Sequence, residues 1–491
     1  MTAAALAVYG VALAVAVPAV LRRPAVALYL FVLGLPLHNI VMSLLYGGGV
    51  HGHALDAIQA WKEIVLAAAV ASVAVAAIRA RRLPFRPMLV DWLALAYGAI
   101  VVLYALIPQG ALGGNAGAKA IAYGLRHDLV IVAAYFLGRS VTLDIRRLRW
   151  TVAGAAAAVA AWGLIEVYAV PIEWWRHSGS VGYFHRELGY DYHGPAGLPE
   201  NFAFNTSDGL FRRLVSTFVS PLATAYMLVV ALLLLATVRR RYRLAAGLAI
   251  VCGAGLLWTF SRSSVVALAV GLVVLALARR RRWPLPAAVV VVAAGFGFAA
   301  IFHSIAPRTH WFPSDLPYQE AQAKVKGPLP VGSGLDSTVS LGEPSIRSHL
   351  DSLRDGIETV VKHPQGYGLG NAGTTAQRFG VELQAGESNY TELGVEAGLA
   401  GALLFIAWSL ALLAGLVRTA RSGDRAAAAA GAGLAAVLAL AIQTDAIGVP
   451  WLAYCLWWLC GSLLYEKVLT KAQLPASSQS NGSSATASRS A

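Results

Sequence analysis

At 491 residues the chain is long enough for several soluble domains, yet 57% of it is hydrophobic and only 13% is charged, with a mean hydropathy of +0.62. Apolar runs repeatedly reach bilayer-spanning length, which excludes a soluble multidomain protein and makes this a polytopic membrane protein. The net charge of +14 lies in short clusters between apolar runs, as cytoplasmic loops facing anionic lipid require, and forms no continuous face for nucleic acid.

In chain order the hydropathy predicts an all-α bundle of about 12–13 transmembrane helices, over residues 2–21, 25–46, 61–80, 88–107, 119–138, 150–172, 214–238, 244–260, 263–278, 284–302, 389–417, 426–443 and 449–464. The first lacks a basic leader and a small-residue cleavage site, so it reads as a retained helix. Arg126, His127 and Asp128 interrupt the fifth. Four regions follow: an N-terminal bundle over 1–302 with a polar loop at 173–213, a large polar loop over 303–388, C-terminal helices over 389–468, and a Ser/Ala-rich tail over 469–491 that is expected to be disordered. Basic clusters at Arg22-Arg23, 79–86, 139–149, 239–243, 279–282 and 418–425 fall on alternate loops. The positive-inside rule then places both polar loops outside and the tail inside. Trp174 and Trp175 read as an outer aromatic belt.

The longest polar stretch runs from Ser345 to Gly401. Leu350, Leu353, Ile357 and Val360 recur at helical spacing, predicting an amphipathic helix over about 348–362 that Pro364 and a glycine-studded turn stop. Asn389 with Glu392 resembles a capping box that opens the next helix.

The external ends of several segments carry arginines outside the inward clusters: Arg126, Arg213, Arg262 and Arg347. A lone arginine near a span end is ordinarily a snorkelling anchor. Arg262, in a short turn between two oily helices, is too costly there without something to bind. Several guanidinium groups at one membrane face suit a multivalent anion, and a diphosphate at the external leaflet points to a lipid-linked carrier. No phosphate-cradling loop of the G-x-x-x-x-G-K-[ST] type occurs, which argues against ATP-driven work.

Group transfer also needs a base for an acceptor hydroxyl. Glu387 is the first candidate, with His363 and His349 as alternatives, and Asn389 stands beside it as a possible acceptor contact. Glu166 is a carboxylate inside a span that either pairs with an arginine or lines a cavity. Asp445 reads as a helix-end residue. His177, His185, His193 and Asp191 match no metal-ligand spacing, and neither a metal nor a cofactor is expected. Cys252, Cys455 and Cys460 lie in apolar runs and read as small core residues.

Three motifs resemble those of the O-antigen ligase and polysaccharide polymerase superfamily of bacterial membrane proteins. The first is RRLVSTFVSPLATA around Arg213, and the second is TFSRSSVVAL around Arg262. The third runs from Arg347 through His363-Pro364, Gly366, Gly368 and Gly370 to Asn389 and Gly401. The resemblance implies an all-helical fold related to C-type glycosyltransferases, with a large periplasmic loop over a cavity. It also implies metal-independent transfer of a glycan from an undecaprenyl diphosphate carrier at the bacterial inner membrane, with Arg213, Arg262 and Arg347 holding the diphosphate. Ligases of this family usually carry histidine near the position of Glu387-Ser388-Asn389, so Glu387 would serve as the base. That departure favours a polymerase that extends a lipid-linked repeat, or a divergent ligase, over an ordinary ligase that joins glycan to a lipid core. The rivals are a flippase for the same lipid, which should show broken helices in two corresponding halves, and a scaffold in an envelope-synthesis complex.

Overall fold

A computed structural model describes residues 1–206, 209–326, 344–382, 384 and 388–464. Glu387 and the tail 469–491 therefore lie outside the described residues. Apolar helices occur at all thirteen predicted places: α1 Thr2–Arg22, α2 Ala25–Gly47, α3 Trp61–Ala80, α4 Leu89–Leu106, α5 Ala118–Ser140, α6 Ile145–Ala169, α7 Pro221–Leu235, α8 Tyr242–Trp258, α9 Arg262–Arg279, α10 Pro284–Ile305, α12 Asn389–Arg421, α13 Arg425–Leu440 and α14 Leu452–Leu463, with the amphipathic α11 Pro344–Lys362 before α12. Nine of the described helices are long and apolar enough to cross a membrane, while α7, α8, α13 and α14 are shorter.

Burial sorts the helices. α7 and α13 are apolar all round, and nearly every residue of both is buried, as a helix at the centre of a bundle requires. α14 brings Trp457 and Trp458 into the same core against α5, and Trp408 of α12 stacks on Tyr97 of α4. α1 keeps almost only Val20 buried and turns the rest of its surface outward, where lipid is the matching solvent.

Short turns shorten α7. The seventh span was expected from residue 214, but Ser216–Phe218 forms a 3-10 turn and Val219 takes a left-handed φ of 53°. The helix starts only after the Ser220 hydroxyl accepts from the Ala223 N–H. A small sheet was also not foreseen. Strands β1 Ala203–Thr206 and β2 Gly209–Arg212 form a hairpin, and β3 Arg308–Thr309 joins it antiparallel. The sheet stitches the two polar loops together and sets the direction in which the chain leaves Arg212.

α12 is broken. Ala397 and Gly398 leave helical geometry, with Gly398 at φ +69°. The freed Leu399 N–H donates to the Pro364 carbonyl at 2.8 Å, and the Tyr367 N–H donates to the Val395 carbonyl at 2.6 Å. The glycine turn after Pro364 thus supplies the partners that a helix break inside a bilayer needs. Gly366, Gly368 and Gly370 all have positive φ, and a Cβ on Gly366 would sit 2.6 Å from the Gly398 nitrogen. Gly398 is the hinge that the turn clamps. Gly394, by contrast, does mark close packing, against Val360 of α11.

Two aromatic and basic assignments change. Trp175 is a core residue whose indole donates to Glu166, while Trp174 stays partly exposed. Arg139, placed in an inward basic cluster by its sequence neighbours, is buried at the end of α5 and pairs with Asp91 at 2.9 Å. Asp91 also accepts from the Tyr135 hydroxyl at 2.7 Å. Arg139→Ala would leave a buried carboxylate with its charge uncompensated and is expected to cost about 3–5 kcal/mol. A melting curve of the detergent-solubilised protein reads this loss, and Arg139→Leu with Asp91→Leu should recover most of it. An unshifted single mutant would show that the pair contributes nothing.

Candidate active site

The short segment leaving β2 docks on the turn between α8 and α9. The Leu214 N–H donates to the Trp258 carbonyl at 3.0 Å, and Arg213 Nε donates to the Thr259 carbonyl at 2.8 Å. Phe260 in that turn has φ +51°, which swings the chain so that Ser261 caps α9 and Arg262 is its first residue. Two arginines from two sequence motifs therefore share one turn. Burial first, and then the like charge of Arg262, pull the Arg213 guanidinium below its usual range. The two cations lie close enough for the charge of Arg262 to disfavour that of Arg213. The rings of Phe204 and Phe260 lie 5.6 and 5.8 Å from the Arg262 guanidinium carbon. An apolar crevice lined by Phe260, Val265, Gly295 and Phe298 runs from Arg262 between α9 and α10.

A second polar group lies under the loop. His127 of α5 faces carboxylates on both ring nitrogens, Asp128 at 2.8 Å and Asp445 at 3.1 Å. Asp445 further accepts from Asn389 Nδ2 at 2.7 Å, the Thr374 hydroxyl at 3.0 Å and the Gly448 N–H at 2.7 Å. Burial opposes its charge, but His127 and these donors outweigh burial and hold the carboxyl at about 2. Glu392 accepts from Asn389 through Oε2, while its buried Oε1 takes no hydrogen bond among the described residues. A small cavity lined by His127, Thr374, Glu392, Glu396 and Asp445 lies there. Gly373 has no side chain for good reason, since a Cβ would collide with Glu392. The Tyr226 hydroxyl lies within electrostatic reach of Arg213 and donates to Thr444, next to Asp445, at 3.2 Å.

The remaining expected residues are dispersed. Arg347 is exposed on α11. Arg126 pairs with Glu63 at 3.0 Å and stacks on Tyr123, away from the Arg213 turn. Glu166, expected to pair with an arginine or to line a cavity, is locked between Arg212, the Trp175 indole and the Ser216 N–H. His363 bonds the Leu112 carbonyl at 2.9 Å and stacks on Tyr367, so it fastens the glycine turn rather than standing free. Asn389 does not form the expected capping box, because no side-chain cap is made at the N-cap, Ser388. Its side-chain oxygen instead accepts from the Ala446 and Ile447 N–H groups, which fixes the loop that carries Asp445. Of the stripe expected to be buried on α11, Val360 is packed, whereas Leu350 and Ile357 are about half exposed.

The sequence reading missed the site's acid–imidazole group, although its signal was present in the His127-Asp128 pair interrupting an apolar span. No curated protein matches the chain. Residues 247–406, which carry Arg262, Arg347 and the glycine turn, match the protein family described as O-antigen ligase. Over that third of the chain the protein is similar to the same superfamily that its three motifs resemble.

Proposed function

We propose that the protein transfers a glycan from an undecaprenyl diphosphate carrier to an acceptor hydroxyl at the external face of the bacterial inner membrane, acting as a polysaccharide polymerase. The observation that carries this reading is the Arg213–Arg262 pair, two cations held on one turn beside an apolar crevice. The diphosphate would lie on the guanidinium groups and the polyprenyl chain would enter the crevice. The acceptor oxygen bonds the anomeric carbon as the bond from that carbon to the diphosphate oxygen breaks. The diphosphate leaves with the electron pair, and its charge is met by the arginines. Arg347, on the loop helix, would close over the same group.

The hydroxyl proton passes to a carboxylate at the outer end of α12. Glu387 is one choice. Glu392 is favoured by its unbonded oxygen beside the cavity. Glu392→Gln is expected to lower transfer by about a hundredfold, the ordinary contribution of a positioned base, with folding preserved. In a deletion strain complemented by Glu392→Gln or Glu387→Gln, glycan length on a gel is the readout. Single-repeat glycan on its final acceptor means a failed polymerase, and long chains left on the carrier mean a failed ligase. Normal glycan from both variants would remove the carboxylate from the mechanism.

A further inference from the structure

Three basic side chains gather at a place distinct from the Arg213 turn. Lys62 is the second residue of α3, Arg126 lies in the third turn of α5, and Arg378 belongs to the short helix Gly373–Phe379. α3 carries Arg79 at its opposite end, so the positive-inside rule sets this cluster on the external side. The guanidinium carbons of Arg126 and Arg378 lie 4.4 and 4.1 Å from the centroid of the same Tyr123 ring. Lys62 is buried and donates to the Gln59 carbonyl at 2.9 Å. It lies within electrostatic reach of both arginines.

The cluster's own carboxylate is Glu63, 3.0 Å from Arg126 and 3.7 Å from Lys62. Among the described residues no carboxylate pairs with Arg378. Three cations facing one carboxylate leave a surplus of positive charge that the tyrosine face offsets only in part, since a cation–π contact is worth about 0.5–1 kcal/mol at an exposed site. Guanidinium and ammonium groups arranged in this way match a phosphate, which takes several charge-assisted hydrogen bonds at once.

The position of the cluster gives it a role. Arg126 directly precedes His127, which bonds Asp445. Asp445 is next to Thr444, and Thr444 leads through Tyr226 to Arg213. The carboxylate–imidazole group therefore lies between two basic groups. We propose that Lys62, Arg126 and Arg378 form a second anion site, which holds a phosphate of the lipid-anchored acceptor while Arg213 and Arg262 hold the donor diphosphate. This rests on the glycosyl-transfer reading and moves Arg126 from the donor's site to the acceptor's. A growing lipid-diphosphate glycan and a phosphorylated lipid core offer the same chemistry to the site.

The test uses the full-length protein in phosphatidylcholine nanodiscs, with undecaprenyl diphosphate as probe and bound molecules per protein as the readout. Wild type is expected to bind two, Arg126→Gln/Arg378→Gln one, and Arg213→Gln/Arg262→Gln one. Loss of two charge-assisted contacts should weaken the second site roughly tenfold or more, and Arg126→Lys/Arg378→Lys, which keeps the charge, should restore much of it. Competition at the second site by lipid A alone would identify a phosphorylated core as the acceptor, and competition by the diphosphate alone a lipid-linked repeat. Either result supports the site. Equal competition by phosphatidylglycerol would overturn it as a generic contact with anionic lipid. An unchanged stoichiometry in Arg126→Gln/Arg378→Gln, with Arg213→Gln/Arg262→Gln impaired, sinks the second site alone. If both variants bind like wild type, the glycosyl-transfer reading falls with it.

Discussion

Arg262→Ala and Arg213→Ala are each expected to lower glycan transfer by about a hundredfold to a thousandfold, the range for removing one preorganised donor from a developing anion. The double variant should be little worse than either single one, because groups that act as a unit lose their effect together. The physical reason is the shared turn. Arg213 Nε is anchored to the carbonyl of Thr259, three residues before Arg262, so losing either guanidinium leaves the other facing the diphosphate without its partner. Lysine at these positions should recover only part of the activity, since an ammonium keeps the charge but not the two-pronged geometry. Transfer measured on purified, correctly folded variants decides the matter. Full activity in Arg262→Ala would end the assignment of the donor site.

The spans were legible because their signal is local: a run of apolar residues long enough to cross a bilayer is visible without its neighbours. The Arg213 and Arg262 segments were legible for the same reason, since a guanidinium beside oily helices is conspicuous wherever the chain goes. What the sequence hid depends on partners far along it. His127 and Asp445 are 318 residues apart, and nothing near Asp445 distinguishes a site carboxylate from a helix end. The break at Gly398 was hidden because the turn that clamps it begins more than thirty residues upstream, at Pro364. Arg139 was taken for a loop residue because its sequence neighbours are basic, whereas its buried position follows from Asp91 across the bundle. The hairpin was missed because its strands are four residues each and carry no clear alternation.

Asp445→Ala is expected to be the most damaging single substitution outside the arginine pair. One carboxylate gathers His127 from α5, Thr374 from the short helix Gly373–Phe379, Asn389 from α12 and the N–H of its own turn. Removing it strands donors on three separate elements, the fully buried Asn389 and the partly buried His127 among them, at a cost of about 3–5 kcal/mol for a broken buried charge pair. The pH dependence gives an independent check. The Asp445 carboxyl is held at about 2 in the folded protein against 3.8 when unfolded. Its contribution is therefore complete above the unfolded value and is lost as pH falls through the folded one. In thermal unfolding across pH 2 to 7, wild type should lose stability over this acid window, and the difference between wild type and Asp445→Ala should shrink there. Asp445→Asn keeps an acceptor for Thr374 and Asn389 but no charge for His127, so it should fall between the two in stability. Its transfer activity separates the two roles of the residue. If Asp445→Asn folds well and still transfers poorly, the charge on His127 serves the chemistry. If it transfers in proportion to its stability, Asp445 serves only to hold α5, α12 and the external loop in register around the cavity.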